Sequence, residues 1–258
     1  MTVADQDTAI ASWDEPAGLM ARGTLIVVPG RGEQPGVYER LGRRLASDAY
    51  RVRVVTDPTA DLALATAEVT GLLGEATSVA PRVLVGSDTG ALFAAGLLAS
   101  GQVAGVDALI LAGLPVSAEA AAAAPGAGAT GGSAADFENE LDSRTTCPTH
   151  RARLAGPELR RGALYEPVPD GWDERADLTA IGVPILGLHG AEDPISPLAA
   201  VRPRFAAASD AELVSITGTR HDALNNMTHR TAAAIIVLFL ERLRQDGHRA
   251  PIAITELP

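Results

Sequence analysis

The sequence is poor in aromatic residues, in cysteine and in basic charge. Only 3% of the 258 residues are aromatic, and the 21 basic residues, all arginine, face 32 acidic ones, which gives a net charge of −11. A chain this acidic is not drawn to nucleic acid or to an anionic membrane surface, so we expect neither as a partner. The single cysteine, Cys147, excludes an internal disulfide.

Long hydrophobic runs are also missing. The longest run spans residues 232–240, whereas a membrane helix needs about twenty apolar residues. The first residues, MTVADQDTAIASWDEP, lack the basic and apolar regions of a signal peptide, so we expect a cytoplasmic protein. Hydrophobic residues make up 47% of the chain, enough for a full core without disulfides. No motif implies a cofactor or a metal, and nothing predicts an oligomeric state.

Apolar and amphipathic segments alternate along the chain. Short runs rich in Val, Ile and Leu, bounded by Gly or Pro, predict strands at 24–28, 51–56, 82–86, 106–111, 183–188 and 212–216. The segments between them predict helices at 37–47, 60–75, 91–100, 198–208 and 228–244. This alternation predicts an α/β fold, with a mostly parallel sheet and helices on both faces.

One insertion breaks the alternation. We expect residues 115–180 to form a short lid on a core made of residues 1–114 and 181–258. Within the lid, residues 120–135 (AAAAAPGAGATGGSAA) are of low complexity, which suits either a solvated linker or the hinge of a mobile lid. The residues that follow, 135–154, predict two short helices broken at Pro148.

The most informative segment is residues 81–99, PRVLVGSDTGALFAAGLLA. An apolar strand runs into Gly86-Ser87-Asp88-Thr89-Gly90 and then directly into a helix. A strand, a Gly-x-nucleophile-x-Gly turn and a helix make a nucleophile elbow, whose glycines allow a strained turn that lifts the central side chain to the helix N-terminus. The central residue here is Asp88, and Ser87 is expected to point away from the pocket.

Nearly the whole chain resembles the α/β-hydrolases, and it is most similar to the monoglyceride lipase and lysophospholipase-like group. The segment VVPGRGEQPGVYERLGRRLASDAYRVRVVTD resembles that group's strand, glycine turn and helix, with Pro29 where a histidine is usual. The segment VPILGLHGAEDPISP places Asp193 as the triad acid, and ITGTRHDALNN places His221 as the base. The chain order Asp88, Asp193, His221 is the α/β-hydrolase order of nucleophile, acid and base.

The resemblance also implies contacts around the triad. The backbone N–H groups of Arg31 and Thr89 match the oxyanion-hole positions. The side chains or backbone expected to contact substrate are those of Gly30, Tyr38, Ser87 and Tyr165. We expect His189 to be a packed or hydrogen-bonded histidine rather than a catalyst.

A carboxylate at the elbow changes the chemistry. Attack on an ester would give an anhydride, whereas attack on a saturated carbon gives a stable alkyl ester. Haloalkane dehalogenases and epoxide hydrolases of this fold carry Asp at the elbow, and the resemblance implies that Asp88 is the nucleophile, His221 activates water and Asp193 orients His221. We therefore expect hydrolysis of a small, neutral or apolar substrate. The chain departs from both groups. Thr89 stands where dehalogenases usually have a tryptophan whose N–H binds the halide. Epoxide hydrolases usually use lid tyrosines to protonate the opening oxygen, and the insertion has a single tyrosine, Tyr165.

Two other hypotheses stay open. In the first, Asp88 or the Asp88–His221 pair is a general base for an elimination, cyclisation or decarboxylation, and burial near another acid is expected to raise the pKa of Asp88. In the second, the elbow has lost its catalytic role and the protein binds a ligand without transforming it.

Overall fold

The computed structural model describes residues 10–123, 136–245 and 250–254. In these ranges the strands, in chain order, are β1 (Ala11–Trp13), β2 (Gly23–Val28), β3 (Tyr50–Val54), β4 (Arg82–Ser87), β5 (Ala108–Ala112), β6 (Ile185–Gly190) and β7 (Ala211–Ile216). They form one sheet in the order β1-β3-β2-β4-β5-β6-β7. The six predicted strands are confirmed.

Strands β2 to β7 are parallel, as the alternation predicted. The central strands β2, β5 and β6 are buried along their whole length, which explains their continuous apolar sequences. Strand β1 pairs antiparallel with β3 at the sheet edge and was not predicted from the sequence. Its three residues are too few to show a periodic pattern.

The helices of the described ranges are α1 (Glu39–Ser47), α2 (Leu62–Gly74), α3 (Thr89–Ala99), α4 (Ala118–Ala123), α5 (Phe137–Arg144), α6 (Pro148–Leu154), α7 (Trp172–Arg175), α8 (Leu198–Ala207) and α9 (His229–Gln245). Shorter 3₁₀ turns lie at Pro35–Tyr38, Ala163–Tyr165 and Leu178–Ala180. None of the helices in these ranges is long and apolar enough to cross a membrane.

The sheet is covered on both faces. Helices α1 and α9 contribute Leu45 and Phe239 to the hydrophobic cluster on one face. Helices α2, α3 and α8 contribute Val69, Leu92 and Phe205 to the cluster on the other. The chain is therefore a three-layer α/β structure, as predicted.

The insertion begins after β5 and contains α4 to α7. Helices α5 and α6 are separate, and Pro148 is the first residue of α6, so the predicted pair of short helices is confirmed. Pro suits this position because the N–H that it lacks has no partner in the first turn of a helix. Residues 124–135, most of the segment predicted as a linker or hinge, lie outside the described residues. The division into a core and a lid stays a prediction.

Candidate active site

The turn between β4 and α3 holds Asp88 in an unusual backbone conformation. Its φ is 49° and its ψ is −127°, a combination that is strained for a residue with a Cβ. The flanking glycines make the turn possible. A Cβ added to Gly86 would lie 2.4 Å from the Cα of Ala91, and one added to Gly90 would lie 2.3 Å from the carbonyl oxygen of Pro29.

Substituting Gly90 by Ala is expected to destabilise the protein by about 2 kcal/mol, because the new methyl group meets backbone atoms that cannot move independently. Gly71→Ala is the matched control. It lies in α2, has open space around the added Cβ, and should change stability by less than about 1 kcal/mol, in the stabilising direction. Urea unfolding of the two variants measures the difference. Equal free energies of unfolding for the two variants would contradict the close contact between Gly90 and the backbone at the end of β2.

Three buried side chains meet above the sheet. His221 lies between β7 and α9, and Asp193 follows β6. Nδ1 of His221 lies 2.8 Å from Oδ2 of Asp193, and Nε2 of His221 lies 3.2 Å from Oδ1 of Asp88. The structure thus brings the three predicted triad residues into one hydrogen-bonded chain, at the carboxyl ends of the strands.

Asp193 is held in place by its own loop. Its Oδ1 accepts hydrogen bonds from the N–H groups of Ile195, at 2.8 Å, and Ser196, at 3.0 Å. His189 is fully buried, and its Nε2 lies 2.6 Å from the carbonyl oxygen of Ser196 and 3.3 Å from Oδ2 of Asp193. The prediction that His189 is a hydrogen-bonded packing residue is confirmed. These contacts leave Oδ2 of Asp193 directed at His221.

Arg31 covers the carboxylate of Asp88. Its N–H and its Nε donate to Oδ2 of Asp88 at 3.0 and 2.8 Å, and its Nη2 donates to Oδ1 at 2.8 Å. Its Nη1 donates to the carbonyl oxygen of Glu166, and the whole residue is only 4% exposed. The sequence indicated Arg31 as a donor near the elbow, but it did not place the guanidinium against Asp88. Each oxygen of Asp88 therefore faces at least two donors.

This arrangement sets the protonation states of the site. Burial alone would raise the pKa of Asp88, but the charge of Arg31 and the hydrogen bonds from His221 and Arg31 hold it well below its usual value. The expectation of a raised pKa was wrong, because the sequence did not place these cations. Burial also disfavours a charged imidazole, but Asp193 and Asp88 outweigh it and raise the pKa of His221 to about 10. At neutral pH the site holds an imidazolium between two carboxylates.

A second group of buried charges lies behind Arg31, and we call it the Arg144 cluster. Its members are Arg144, Glu33, Glu140, Asp222 and His150. Arg144, at the end of α5, donates to Glu33 at 3.0 Å and to Glu140 at 3.2 Å, and lies 3.6 Å from Asp222. Nε2 of His150 lies 2.9 Å from Asp222. No sequence motif indicates this cluster, although Glu140 and Arg144 stand four residues apart on one helix face.

The Arg144 cluster contacts the backbone on both sides of the triad. Nη2 of Arg144 donates to the carbonyl oxygen of Arg31 at 2.9 Å. The N–H groups of His221 and Asp222 donate to the carbonyl oxygens of Ser143 and Arg144. Helix α5 of the insertion is thereby bonded to the loop of Arg31 and to the loop of His221.

Glu33 connects this cluster to the glycine turn after β2. Its Oε2 accepts hydrogen bonds from the hydroxyl of Tyr38 and from the N–H of Gly30. Burial, followed by the charge of Asp222, raises the pKa of Glu33 to about 7, although Arg144 opposes the shift. The N–H of Gly30 and the hydroxyl of Tyr38, which were expected to contact substrate, thus both donate to the carboxylate of Glu33.

A cavity of about 250 Å³ opens at the carboxyl ends of the strands. Arg31 lines it from the loop after β2, and the other walls come from the insertion and from the loops after β5 and β6: Pro115, Val116, Ala121, Leu164, Tyr165, Glu166, Pro167, Val168, Ile195 and Ser196. Asp88 itself is 2% exposed and does not line this cavity. Of the four residues expected to contact substrate, Tyr165 alone lines it, and its hydroxyl lies 3.1 Å from that of Ser143.

The remaining predicted positions are buried near the elbow. Ser87 is 6% exposed and lies on β4, outside the cavity walls. Thr89 is fully buried, and its Oγ1 lies 3.5 Å from Oδ2 of Asp88. Among the residues that the structure describes, no group of three or more His, Cys, Asp or Glu side chains is arranged to hold a metal ion.

The strand order, the elbow after β4, the acid after β6 and the histidine after β7 define the α/β-hydrolase fold. No family model and no curated protein matches the sequence. Solved structures do match. The monoacylglycerol lipase of Paleococcus ferrophilus is 18% identical with a TM-score of 0.68, over 91% of this chain and 98% of that one.

Two further structures support the same fold. A soluble variant of the monoglyceride lipase of Saccharomyces cerevisiae, solved with a substrate analog, is 16% identical, with a TM-score of 0.69 over 91% of both chains. The enol-lactonase of Burkholderia xenovorans is 17% identical, with a TM-score of 0.65 over 90% of this chain and 96% of that one. The resemblance to monoglyceride lipases and other α/β-hydrolases is confirmed at the level of the fold.

Proposed function

We propose that the protein is a hydrolase that acts on a small organic substrate through Asp88, His221 and Asp193. The observation that supports this best is the continuous hydrogen-bonded chain of these three side chains at the elbow. The lipases and the enol-lactonase that share the fold are hydrolytic by name, which favours the same general chemistry. The neutral or apolar substrate and the cytoplasmic location expected from the sequence stay predictions.

In the first step, an oxygen of Asp88 attacks a saturated carbon of the substrate. The bond from that carbon to its leaving group breaks, and the electron pair departs with the leaving group. A halide leaves as the free anion and His221 releases its proton to solvent, whereas an epoxide oxygen takes that proton directly. The product is an alkyl ester of Asp88. The N–H of Arg31 already donates to Oδ2 of Asp88, so it can stabilise the negative charge that develops there when the ester is later attacked.

In the second step, His221 activates water. Formation of the ester removes the negative charge of Asp88, which is one of the groups that raise the pKa of His221. The imidazole can then remain neutral and accept a proton from water, while Asp193 keeps the ring oriented through Nδ1. The hydroxide attacks the ester carbonyl carbon, the alcohol leaves, and the carboxylate of Asp88 is regenerated.

Trapping the ester tests this proposal. In His221→Asn a bromide can still leave as the free anion but water is not activated, so an adduct should accumulate with a brominated probe. An epoxide, whose oxygen needs the proton of His221, should react more slowly in this variant. The probes are 1-bromohexane, 1,2-epoxyhexane and 2-bromohexanoate, and intact-mass measurement followed by peptide mapping should place the added mass on Asp88. The double variant with Asp88→Asn should gain none.

The native protein provides a second measurement. In heavy-oxygen water, a single turnover of whichever probe forms the adduct should place label in the carboxylate of Asp88, because water attacks the ester carbonyl. Lack of an adduct with all three probes, or an Asp88 carboxylate that stays unlabelled during turnover, would overturn covalent catalysis.

The contact between Arg31 and Asp88 favours a second candidate, a ligand-binding protein without catalysis. Both oxygens of Asp88 are engaged by the guanidinium, which weakens the carboxylate as a nucleophile. The same low pKa of Asp88, with His221 already protonated, weighs against the hypothesis of a general base for elimination or cyclisation. A protein that binds the probes but forms no adduct and no product would support the ligand-binding candidate.

A further inference from the structure

The guanidinium of Arg31 stands between the cavity and Asp88. Arg31 lines the cavity, whereas Asp88 lies behind it and is 2% exposed. A molecule in the cavity meets the guanidinium before it can approach the carboxylate. The covalent chemistry proposed above therefore requires the side chain of Arg31 to move away from Asp88.

Separating this pair has unequal consequences for its two members. Asp88 would keep the backbone N–H of Arg31 at 3.0 Å, the imidazolium of His221 at 3.2 Å and the hydroxyl of Thr89 at 3.5 Å. Among the described residues, the guanidinium would keep one hydrogen-bond acceptor, the carbonyl oxygen of Glu166, and a weaker electrostatic interaction with the Glu166 carboxylate, which is paired with Arg160. An unpaired buried cation is strongly unfavourable, so the movement needs a new anion for Arg31 more than it needs a new cation for Asp88.

A carboxylate in the cavity meets this need. Of the described residues that line the cavity, Arg31 alone is cationic, and the one acidic lining residue, Glu166, directs its carboxylate to Arg160. A substrate carboxylate can accept two hydrogen bonds from the guanidinium, as Asp88 does now. The cation in the cavity wall therefore favours an anionic substrate, whereas the net charge of the chain had suggested a neutral one.

We infer that the cavity binds a small molecule carrying a carboxylate, which takes the Arg31 guanidinium from Asp88 and so uncovers the nucleophile. This inference rests on the proposed function for its catalytic meaning and names the substrate class of that same site. Arg31 would select the substrate and, by its movement, couple binding to the exposure of Asp88.

Matched ligands test the inference without requiring turnover. Hexanoate and hexanamide differ in charge but hardly in size, and calorimetric titration gives the affinity of each. In the wild-type protein hexanoate should bind at least tenfold more tightly than hexanamide. Arg31→Gln should abolish this preference, and Arg31→Lys, which keeps the charge but not the paired donors, should retain part of it. Circular dichroism checks that each variant is folded.

A variant of Asp88 gives the sharpest result. Asp88→Asn removes the carboxylate that competes for the guanidinium, so hexanoate should bind at least tenfold more tightly than it does to the wild type. Arg151→Gln is the matched control, since Arg151 pairs with Glu138 and Asp142 at the surface and does not line the cavity, and its removal should change the preference less than threefold.

Opposite results separate this inference from the proposed function. Equal binding of hexanoate and hexanamide, or a preference that survives Arg31→Gln, overturns the inference and leaves the ester-trapping result unaffected. A preference that depends on Arg31, in a protein that forms no adduct on Asp88, establishes the ligand class and overturns the covalent route instead.

Discussion

Arg144→Met is expected to destabilise the protein by about 3–5 kcal/mol, because it removes the cation from a cluster of buried carboxylates. Methionine matches the length of the arginine stem, so most of the loss comes from charge rather than from packing. Glu33, Glu140 and Asp222 would face one another in the interior with His150 as the remaining basic group. Denaturant unfolding of wild type and variant at pH 8 measures the change.

Lowering the pH should recover part of this loss. The pKa of Glu33 is already about 7, and it should rise further without Arg144, so this carboxylate accepts a proton as the solution becomes acidic. Arg151→Met is the control, since Arg151 lies on the neighbouring helix α6 and pairs with Glu138 and Asp142 at the surface. It should cost less than about 1 kcal/mol. Similar stabilities for the two variants would show that the Arg144 cluster does not stabilise the fold.

The second large effect is a fall in stability as the pH rises above neutrality. His221 binds its proton more tightly in the folded protein than in the unfolded chain, because its pKa rises from the ordinary 6.5 to about 10. Its contribution is therefore fully present below pH 6.5 and disappears as the pH rises through 10. A tenfold difference in proton affinity between the folded and unfolded states corresponds to about 1.4 kcal/mol, so the contribution is roughly 5 kcal/mol.

Comparison with His221→Gln isolates this contribution. Urea unfolding of both proteins between pH 7 and 10.5 should give a difference in stability that is largest at pH 7 and shrinks steadily as the pH increases. Groups that titrate in both proteins cancel in that difference. Parallel curves for the two proteins would mean that His221 is neutral in the folded state, and the charge arrangement derived for the site would then be incorrect.

The sequence was sufficient for the fold and for the prediction that Asp88, Asp193 and His221 lie together, because both depend on local patterns. Apolar runs mark the strands, and the glycines around Asp88, between a strand and a helix, mark a tight elbow turn. Asp193 and His221 each follow a strand of the sheet, in the chain order of the fold, and parallel strands bring such residues to one edge. Predicting that these residues lie together did not require knowing where each side chain points.

The direction of the Arg31 side chain could not be predicted in this way. Arg31 and Asp88 are 57 positions apart, and their contact depends on how two turns approach each other across the sheet edge. The available signal was an arginine at a position that the resemblance assigns to the oxyanion hole, together with an elbow that carries an acid. Recognising that pair would have predicted the low pKa of Asp88 correctly.

The Arg144 cluster was missed for a similar reason. Glu33 and Arg144 are 111 positions apart, and charged residues on a short helix such as α5 usually face water. They are buried because the insertion packs onto the loop after β2. No periodic pattern in the sequence predicts that packing. Long-range contacts between polar side chains that no motif marks were thus the part of the site that the sequence could not predict.

The pairing of Arg31 with Asp88 has a consequence for redesign of the protein. Placing serine at the elbow by Asp88→Ser would introduce the residue type of an ordinary esterase, but it would leave the guanidinium of Arg31 buried without its counter-ion. The two residues form a charge-balanced pair on which Arg31 depends more than Asp88, because Asp88 also faces the imidazolium of His221. An engineer who wishes to change the chemistry of this elbow should therefore obtain a more stable protein by exchanging both positions together than by exchanging Asp88 alone.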